Sequence, residues 1–185
     1  SNFDLVVRAR ATEAEGGGTA DTTQTLAVTV VGVADQADLS ATDGSGDEDQ
    51  AISFTVSASL VDTTNETLAL TLSGIPEGAV VTDGVEGHTF TAESGSTTAT
   101  ITGWTLGSIT ITPPEHDDSD FDLTVRARAT EADGGGTEET TATLAVTVAA
   151  VADDPNLSKT DGSGTEDEAI SFTVSAELSD VTNET

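Results

Sequence analysis

One long internal repeat constrains this chain more than any other feature. Residues 3–67 return without a gap as residues 121–185, and 49 of the 65 positions are identical. A period of 118 residues is the size of a whole domain and not of one solenoid coil. The chain is therefore interpreted as a piece of an array of domains. We expect the C-terminal part of one repeat at 1–36, a complete repeat at 37–154 and the N-terminal part of the next at 155–185.

The charge of the chain excludes several classes of partner. It has 34 Asp and Glu against five Lys and Arg, a net charge of −29. So acidic a surface predicts binding to neither nucleic acid nor anionic membranes. No apolar run approaches the roughly 20 residues of a membrane span, so we expect no membrane insertion. Disorder is the first alternative for a charged chain with few aromatics, but the apolar residues alternate strictly in several segments, which disordered tails do not do.

The alternation has period 2, which is typical of strands with one buried face. In one repeat it predicts strands A (39–42), B (52–60), C (68–73), E (109–112), F (121–130) and G (140–148), with weaker candidates at 79–82, 89–91 and 98–102. Clusters rich in Gly, Asp and Asn predict turns between them, for example at 43–46 and 134–136. Many short strands in a domain of this size predict an all-β fold of immunoglobulin-like antiparallel β-sandwich repeats joined end to end.

The acids collect outside these strands. Only Asp4, Asp122 and Glu177 are predicted to lie within a strand. In a sandwich with an odd number of strands, the two termini leave at opposite ends. Successive loops therefore alternate between the two ends of the domain. The far end receives the A–B loop, the E–F loop and the exit linker, with acids at Asp47, Glu48, Asp49, Glu115, Asp117, Asp118, Asp120, Asp153 and Asp154. The near end receives the B–C and F–G loops, with Asp62, Asn65, Glu66, Glu131, Asp133, Glu138 and Glu139.

Stacking repeats end to end would bring the two acidic ends together at each linker. Like charges a few ångströms apart repel by about 1–4 kcal/mol per pair, so a cation from solution is required. Ca²⁺ fits, because it takes oxygen ligands from Asp, Glu, Asn and backbone carbonyls in irregular loops. The absence of Cys and the presence of only two His, His88 and His116, argue against zinc and copper.

Two other interpretations of the acids are weaker. A surface adapted to salt would also carry acids along the exposed strand faces, where this chain has Thr and Ser. Paired catalytic carboxylates would suit a glycosidase, but modules that recur in an array are unusual for an enzyme, and no His or Ser is placed to complete a protease or esterase site. His116 is interpreted as incidental. We therefore expect no enzymatic activity.

Five motifs follow one another in an order that resembles a known family, the extender repeats of giant RTX-type bacterial adhesins. The motifs are TEDEAI (165–170), LSGIPEGA (72–79), ITITPP (109–114), DSDF (118–121) and VAAVADDP (148–155). The resemblance implies immunoglobulin- or cadherin-like sandwiches whose linkers bind Ca²⁺. It also implies a secreted protein at the bacterial cell surface, where the repeats hold a ligand-binding tip away from the cell in biofilm formation or attachment.

The same resemblance implies particular ligands. Glu48 matches the A–B loop glutamate of cadherin-type junctions, Asp118 and Asp120 match the D-x-D before strand F, and Asp153 matches the linker aspartate. The next module would contribute Asp180, Asn183 and Glu184. With the loop acids and both linkers, the predicted metal ligands are Asp35, Asp38, Glu48, Asp62, Asn65, Glu66, Asp118, Asp120, Glu131, Asp133, Asp153, Asp154, Asn156, Asp180, Asn183 and Glu184.

The function predicted on these grounds is a structural spacer stiffened by Ca²⁺, whose partners are the neighbouring repeats of the same polypeptide. The alternative is an adhesive module that contacts carbohydrate or protein directly, which should carry an exposed aromatic cluster; aromatic residues make up only 3% of the chain. The partial repeats at the two ends would expose apolar faces, which predicts a head-to-tail self-association.

Overall fold

Strands account for nearly all the regular structure, as the alternation predicts. The computed structural model describes residues 2–179. Its strands are β1 (Phe3–Thr12), β2 (Thr19–Val28), β3 (Asp38–Ala41), β4 (Gly44–Asp47), β5 (Ile52–Phe54), β6 (Val56–Ser59), β7 (Glu66–Ser73), β8 (Val80–Thr82), β9 (Thr89–Thr91), β10 (Thr98–Thr100), β11 (Ile109–Thr112), β12 (Phe121–Glu131), β13 (Thr137–Ala149), β14 (Asn156–Thr160) and β15 (Thr173–Glu177). The only helical element in this part of the chain is one 3₁₀ turn, Leu106–Ser108. The predicted all-β, sandwich-like fold is confirmed.

The chain divides into two compact units, each assembled from separate segments. The first unit comprises Ser1–Asp38, Ala58–Ala69 and Ala127–Thr140, and the second comprises Leu39–Ser57, Leu70–Arg126 and Thr141–Thr185. The boundaries of the units differ from those of the repeat. The first linker, before residue 39, belongs to the same unit as the B–C and F–G loops of the complete repeat.

The hydrophobic core lies in the second unit. One sheet has the strand order β5-β11-β8-β9, and another has the order β10-β7-β12-β13-β4. Every second residue is buried along β11, as at Ile109 and Ile111, and along β12 from Leu123 onwards. The largest fully buried side chains are Ile52, Leu72, Ile75, Val81, Ile101, Ile109, Ile111, Leu123, Val125, Leu144 and Val146. The other face of β11 carries Thr110 and Thr112, and that of β12 carries Arg126 and Arg128.

Two predictions about strands A and B were wrong. Residues 43–46 were predicted as a turn, but Gly44–Asp47 is strand β4, which pairs in parallel with β13. Its glycines give room to Ile52, since a Cβ at Gly46 would lie 2.8 Å from Ile52 Cγ1. The predicted strand at 52–60 is also divided: β5 pairs with β11, whereas β6 pairs with β3. In both cases strand pairing overrides local propensity.

The prediction that only three acids lie within strands was also wrong. Asp21 lies in β2, where its Oδ1 accepts a hydrogen bond at 2.9 Å from Nε of Arg10 in β1. The hydrogen bonds from Arg10 and then from Arg8 hold the pKa of Asp21 below its ordinary value. Glu139 in β13 lies 3.8 Å from Nε of Arg128 in β12. These arginines therefore pair with acids of the adjacent strand.

Two hairpins, near either end of the described chain, expose apolar side chains. Strand β1 pairs with β2 from Phe3↔Val28 to Thr12↔Thr19. Strand β14 pairs with β15 from Asn156↔Glu177 to Thr160↔Thr173. Every residue of β1, β14 and β15 is exposed, including large apolar side chains.

Candidate metal centres

Two buried glutamates, one in each unit, stand out among the acids. Glu48 is 3% exposed and Glu66 is 8% exposed. Each binds a linker through one oxygen: Glu48 Oε1 accepts the N–H of Val151 at 2.7 Å, and Glu66 Oε1 accepts the N–H of Asp35 at 2.8 Å. The other oxygen, Oε2, is buried in both and has no hydrogen-bond partner within residues 2–179. Because a buried carboxylate is costly unless its oxygens are bonded or coordinate a metal, both Oε2 atoms are candidate ligands.

The first unit holds the near site, which comprises Asp35, Asn65, Glu66, Glu131 and Asp133. The Nδ2 group of Asn65 donates to Asp133 Oδ2 at 3.0 Å, and the N–H of Asp133 donates to Glu131 Oε1 at 3.1 Å. Asn65 has a φ of 61°, a left-handed conformation that Asn tolerates, at the turn that precedes Glu66 in β7. The predicted convergence of the B–C and F–G loops is therefore found in this unit.

The linker runs against the turn between β12 and β13 in the same unit. The N–H of Ala34 donates to the carbonyl oxygen of Gly135 at 3.4 Å. A Cβ at Gly135 would lie 2.0 Å from the carbonyl oxygen of Gly32, and a Cβ at Gly32 would lie 2.5 Å from Cδ of Glu131. At Gly135 a side chain would meet the backbone of Gly32, so only glycine fits there, whereas at Gly32 the near atoms belong to the flexible side chain of Glu131. These contacts bring the linker beside Glu131, a third buried acid, and carry the Asp35 N–H to Glu66.

The second unit holds the far site, which comprises Glu48, Asp49, His116 and Asp153. The backbone N–H of His116 donates to Asp49 Oδ1 at 2.9 Å. The Nδ1 atom of His116 lies 2.8 Å from Asp153 Oδ2 and 3.5 Å from Asp49 Oδ2. One ligand atom from each of these three residues lies within 4.8 Å of the others. The predicted convergence of the A–B loop, the E–F loop and the exit linker is found here as well.

Asp120 orients strand β13 beside the E–F loop. Its Oδ1 accepts the N–H of Val148 at 2.8 Å. The same bond occurs one repeat earlier, where Asn2 Oδ1 accepts the N–H of Val30 at 2.9 Å. An amide therefore replaces the carboxylate in this bond, so the bond itself needs no charge at this position. Asp118, the other acid of the D-x-D motif, is half-buried.

The remaining predicted ligands lie in exposed positions. Asp38 begins strand β3 and Asn156 begins β14, where it is opposite Glu177. Asp62 Oδ1 accepts the N–H of Thr64 at 2.8 Å, and this bond lowers the pKa of Asp62. Asp154 is exposed in the second linker. The predicted ligands Asp180, Asn183 and Glu184 lie outside the described residues.

Asp49 and His116 were absent from the predicted ligand set. The count of strands placed their two loops at the same end, and this was the only signal available from the sequence. The sequence interpretation of His116 is that of an incidental His in a loop of candidate ligands. In the structure it has a φ of 59°, and its Nδ1 atom faces the carboxylates of both Asp49 and Asp153.

A fourth buried acid shows how a carboxylate is satisfied within the fold. Asp83 Oδ1 accepts the N–H of Val85 at 3.0 Å, and its Oδ2 accepts the N–H of Thr105 at 2.6 Å and contacts Nδ1 of His88 at 2.9 Å. Burial alone would raise the pKa of Asp83, but the bonds from Thr105, His88 and Val85 together lower it to about 2. Both oxygens of this acid are bonded, in contrast to those of Glu48 and Glu66.

Comparison with known proteins does not identify the chain. No protein-family model matches it, and neither a curated protein nor a solved structure matches it. Over residues 2–179, no helix has the length and apolar character required to cross a membrane. The repeat and the two carboxylate sites are therefore the features of this chain that bear on its function.

Proposed function

We propose that this chain is a non-catalytic spacer from a large repetitive bacterial surface adhesin. In this proposal Ca²⁺ binds at the linkers between repeats, stiffens the array and helps to project a distal ligand-binding region away from the cell. The observation that carries the proposal is Glu66, a buried acid that binds the linker amide of Asp35 through one oxygen and leaves the other without a hydrogen bond.

The donor atoms of the near site favour a hard cation. Asp35, Glu66, Glu131 and Asp133 offer carboxylate oxygens, and Asn65 offers an amide oxygen. Ca²⁺ takes six to eight such oxygens with flexible geometry, which suits ligands supplied by two loops and a linker. An ion with these ligands would offset the charge of several acids at once.

The bound ion would stiffen the junction because the linker and the loops of one module would share it. A short linker without an ion leaves adjoining domains free to change their angle. Here one carboxylate group, that of Glu66, serves both the linker backbone and the candidate ion position. An ion bound there would tie the linker to the loops of the following module. Tandem repetition of the module suits a protein that has to span a long distance.

Thermal unfolding tests calcium binding directly. Binding to the native state alone adds RT ln(1 + [L]/Kd), about 2.7 kcal/mol per site at a hundredfold excess over Kd. We expect the melting temperature to fall by several degrees when chelator replaces Ca²⁺, with Mg²⁺ as the control ion. Equal midpoints in Ca²⁺ and in chelator would reject a structural role for calcium.

A matched pair of variants assigns the effect to the near site. Glu66→Gln keeps an oxygen acceptor for the Asp35 N–H but removes the charge, whereas Glu77→Gln makes the same change at an exposed glutamate. We expect Glu66→Gln to lose part of the calcium-dependent stabilisation and Glu77→Gln to keep all of it. Equal losses in both variants would show that Ca²⁺ acts on the general surface charge.

Small-angle scattering tests stiffening separately from stability. We expect a larger maximum dimension with Ca²⁺ than with chelator, and Asp153→Ala should reduce that difference while the core remains folded. If calcium raises the melting temperature but the maximum dimension is the same in both conditions, the ion stabilises a module without acting as a junction.

A further inference from the structure

The complete repeat contains three Asp-Gly pairs, at residues 43–44, 83–84 and 133–134. In such a pair the main-chain nitrogen of Gly can attack Cγ of the preceding Asp, because glycine has no side chain to obstruct the approach. Ring closure forms the N–Cγ bond and releases one water, and the product is a five-membered succinimide. Hydrolysis restores that water and opens either side of the ring. One side returns Asp, and the other leaves isoaspartate, in which the main chain passes through the side chain.

The fold restrains two of these pairs. Both oxygens of Asp83 are bonded inside the protein, and the N–H of Gly84 donates to a threonine hydroxyl at 3.1 Å. Asp43 Oδ1 accepts the N–H of Ala145 at 2.8 Å, and the buried Gly44 begins strand β4. In each pair the carboxylate and the glycine are both held, so the ring closes only after local unfolding.

The third pair, Asp133–Gly134, lies in the exposed turn between β12 and β13. Gly134 has a φ of 83°, and a Cβ placed there would meet no atom within 4 Å. Within residues 2–179 its N–H has no hydrogen-bond acceptor. The carboxylate of Asp133 accepts a bond at 3.0 Å from Nδ2 of Asn65, which is itself exposed. This pair therefore has the freedom to react within the native fold.

The preceding repeat has the same turn with a different acid. There Glu15–Gly16 takes the place of Asp133–Gly134. Gly16 has a φ of 87°, and the main-chain bond that closes the turn is 3.2 Å long in both copies. A glutamate in this position has to form a six-membered ring, which closes less readily. The first copy is thus an unreactive counterpart with the same backbone.

Isomerisation at this turn would alter the near site. Isoaspartate adds one methylene to the main chain and removes it from the side chain, so the carboxylate of Asp133 would lose its place beside Asn65. The turn also contacts the linker, since a Cβ at Gly135 would strike the carbonyl oxygen of Gly32. So close a contact has no room for a longer main chain. The bond from the Ala34 N–H to the carbonyl oxygen of Gly135 should therefore be lost.

We propose that Asp133–Gly134 is a site of spontaneous isomerisation to isoaspartate, selected by the fold from the three Asp-Gly pairs of the repeat. Modification there disconnects the linker from the turn. The site also bears on calcium, and this part rests on the proposed function. An ion bound to Asp133 would hold its carboxylate away from the Gly134 nitrogen and slow the reaction.

Prolonged incubation of the intact chain in chelator at neutral pH tests the site. An endoproteinase that cleaves before Asp but not before isoaspartate reports each position, and mass spectrometry checks that the uncleaved peptides have unchanged mass. We expect isoaspartate to form at Asp133 at least about tenfold faster than at Asp43 and Asp83, because those pairs must first unfold locally. Asp133→Glu, with Glu15 as its precedent in the same turn, should give none there and leave the other two rates unchanged.

Denaturant supplies the control for local sequence. With the fold removed, the three pairs should react at similar rates, since each is Asp followed by Gly. A preference for Asp133 that persists in denaturant would overturn selection by the fold. Equal rates at all three positions in the native chain would overturn it as well.

Addition of Ca²⁺ separates this site from the proposed function. Slower isomerisation at Asp133 in Ca²⁺ than in chelator, with Mg²⁺ as the control ion, supports Asp133 as a calcium ligand. Equal rates in Ca²⁺ and chelator would contradict that role, while the modification site would stand. Absence of isoaspartate at residue 133 in chelator would overturn the modification site, whatever the effect of Ca²⁺ on the melting temperature.

Discussion

The tripeptide Ile-Ser-Phe occurs twice in this chain and has two different structures. As Ile52–Phe54 it forms strand β5, pairs with β11 and buries both apolar side chains. As residues 170–172 it lies outside any strand and exposes both. The sequence is the same, so local propensity does not account for the difference. What differs is the partner: the four residues of β11 have no second copy within this chain.

The neighbouring hairpin, in contrast, forms in both copies. Strands β14 and β15 pair in the second copy, and Thr160 Oγ1 lies 2.5 Å from Thr173 Oγ1. The corresponding atoms of Thr42 and Thr55 lie 2.8 Å apart in the first copy. These two strands are close in sequence and find each other in both copies. Strand β5 needs a partner more than fifty residues away and forms only where that partner is present.

One substitution made in both copies should give the greatest difference in stability. Phe54→Ala removes a buried aromatic side chain and should destabilise the core by about 3–5 kcal/mol. Phe172→Ala removes an exposed one from the same sequence and should change stability by less than about 0.5 kcal/mol. Chemical denaturation at low protein concentration measures both values without contribution from association.

This prediction can fail in an informative way. A loss of more than about 1 kcal/mol for Phe172→Ala would mean that residues 170–172 are buried in solution. The comparison between the two copies would then no longer hold for the isolated chain.

A second pair of variants concerns calcium. Glu48 is buried and binds Val151, whereas its counterpart Glu166 is exposed. Glu48→Gln should abolish the contribution of the far site, up to about 2.7 kcal/mol at a hundredfold excess of Ca²⁺ over Kd. Glu166→Gln should leave the calcium-dependent shift of the melting temperature unchanged. An equal reduction in both variants would contradict the assignment of Glu48 to a specific site.

A third variant replaces Asp120 by the residue found at the equivalent position of the first copy, Asn2. Asn2 shows that an amide maintains the hydrogen bond to the strand that Asp120 makes with Val148. Asp120→Asn should therefore leave the melting temperature in chelator unchanged but weaken calcium binding by several-fold, or about 1 kcal/mol. Titration with Ca²⁺ measures the affinity. A lower melting temperature in chelator would show that the charge of Asp120 matters without the ion.

The smallest effect is expected at Asp83, whose carboxylate is satisfied without a cation. Its pKa is lowered to about 2, so its stabilising contribution is complete above the unfolded pKa of about 4 and disappears as the pH falls towards 2. Asp83→Asn should lower the melting temperature slightly at neutral pH and reduce the loss of stability between pH 4 and 2. Melting curves across this range, with and without Ca²⁺, should show no dependence on the ion.

Much of the fold could be predicted because the signal is local. Strands β11 and β9 have the predicted bounds, and β12 differs by one residue at its end. Strand β4 could not be predicted, because a Gly-Ser-Gly sequence has turn propensity and becomes a strand only by pairing with β13. For the sites, the count of strands indicated which loops meet, but not that Glu48 and Glu66 are buried or that Nδ1 of His116 faces two carboxylates.

Local patterns in the sequence were sufficient to predict the all-β class and the alternating faces, and the repeat is visible directly. The tertiary structure decided which copy of Ile-Ser-Phe becomes a strand, which carboxylates are buried and which oxygens of those carboxylates are bonded. These outcomes depend on groups far apart in the chain: β5 on β11, Glu66 on the Asp35 amide and Glu48 on the Val151 amide. Whether a strand pairs or a carboxylate is buried depends on a group that tertiary packing brings close. That group is distant in sequence, so a pattern of neighbouring residues does not reveal it.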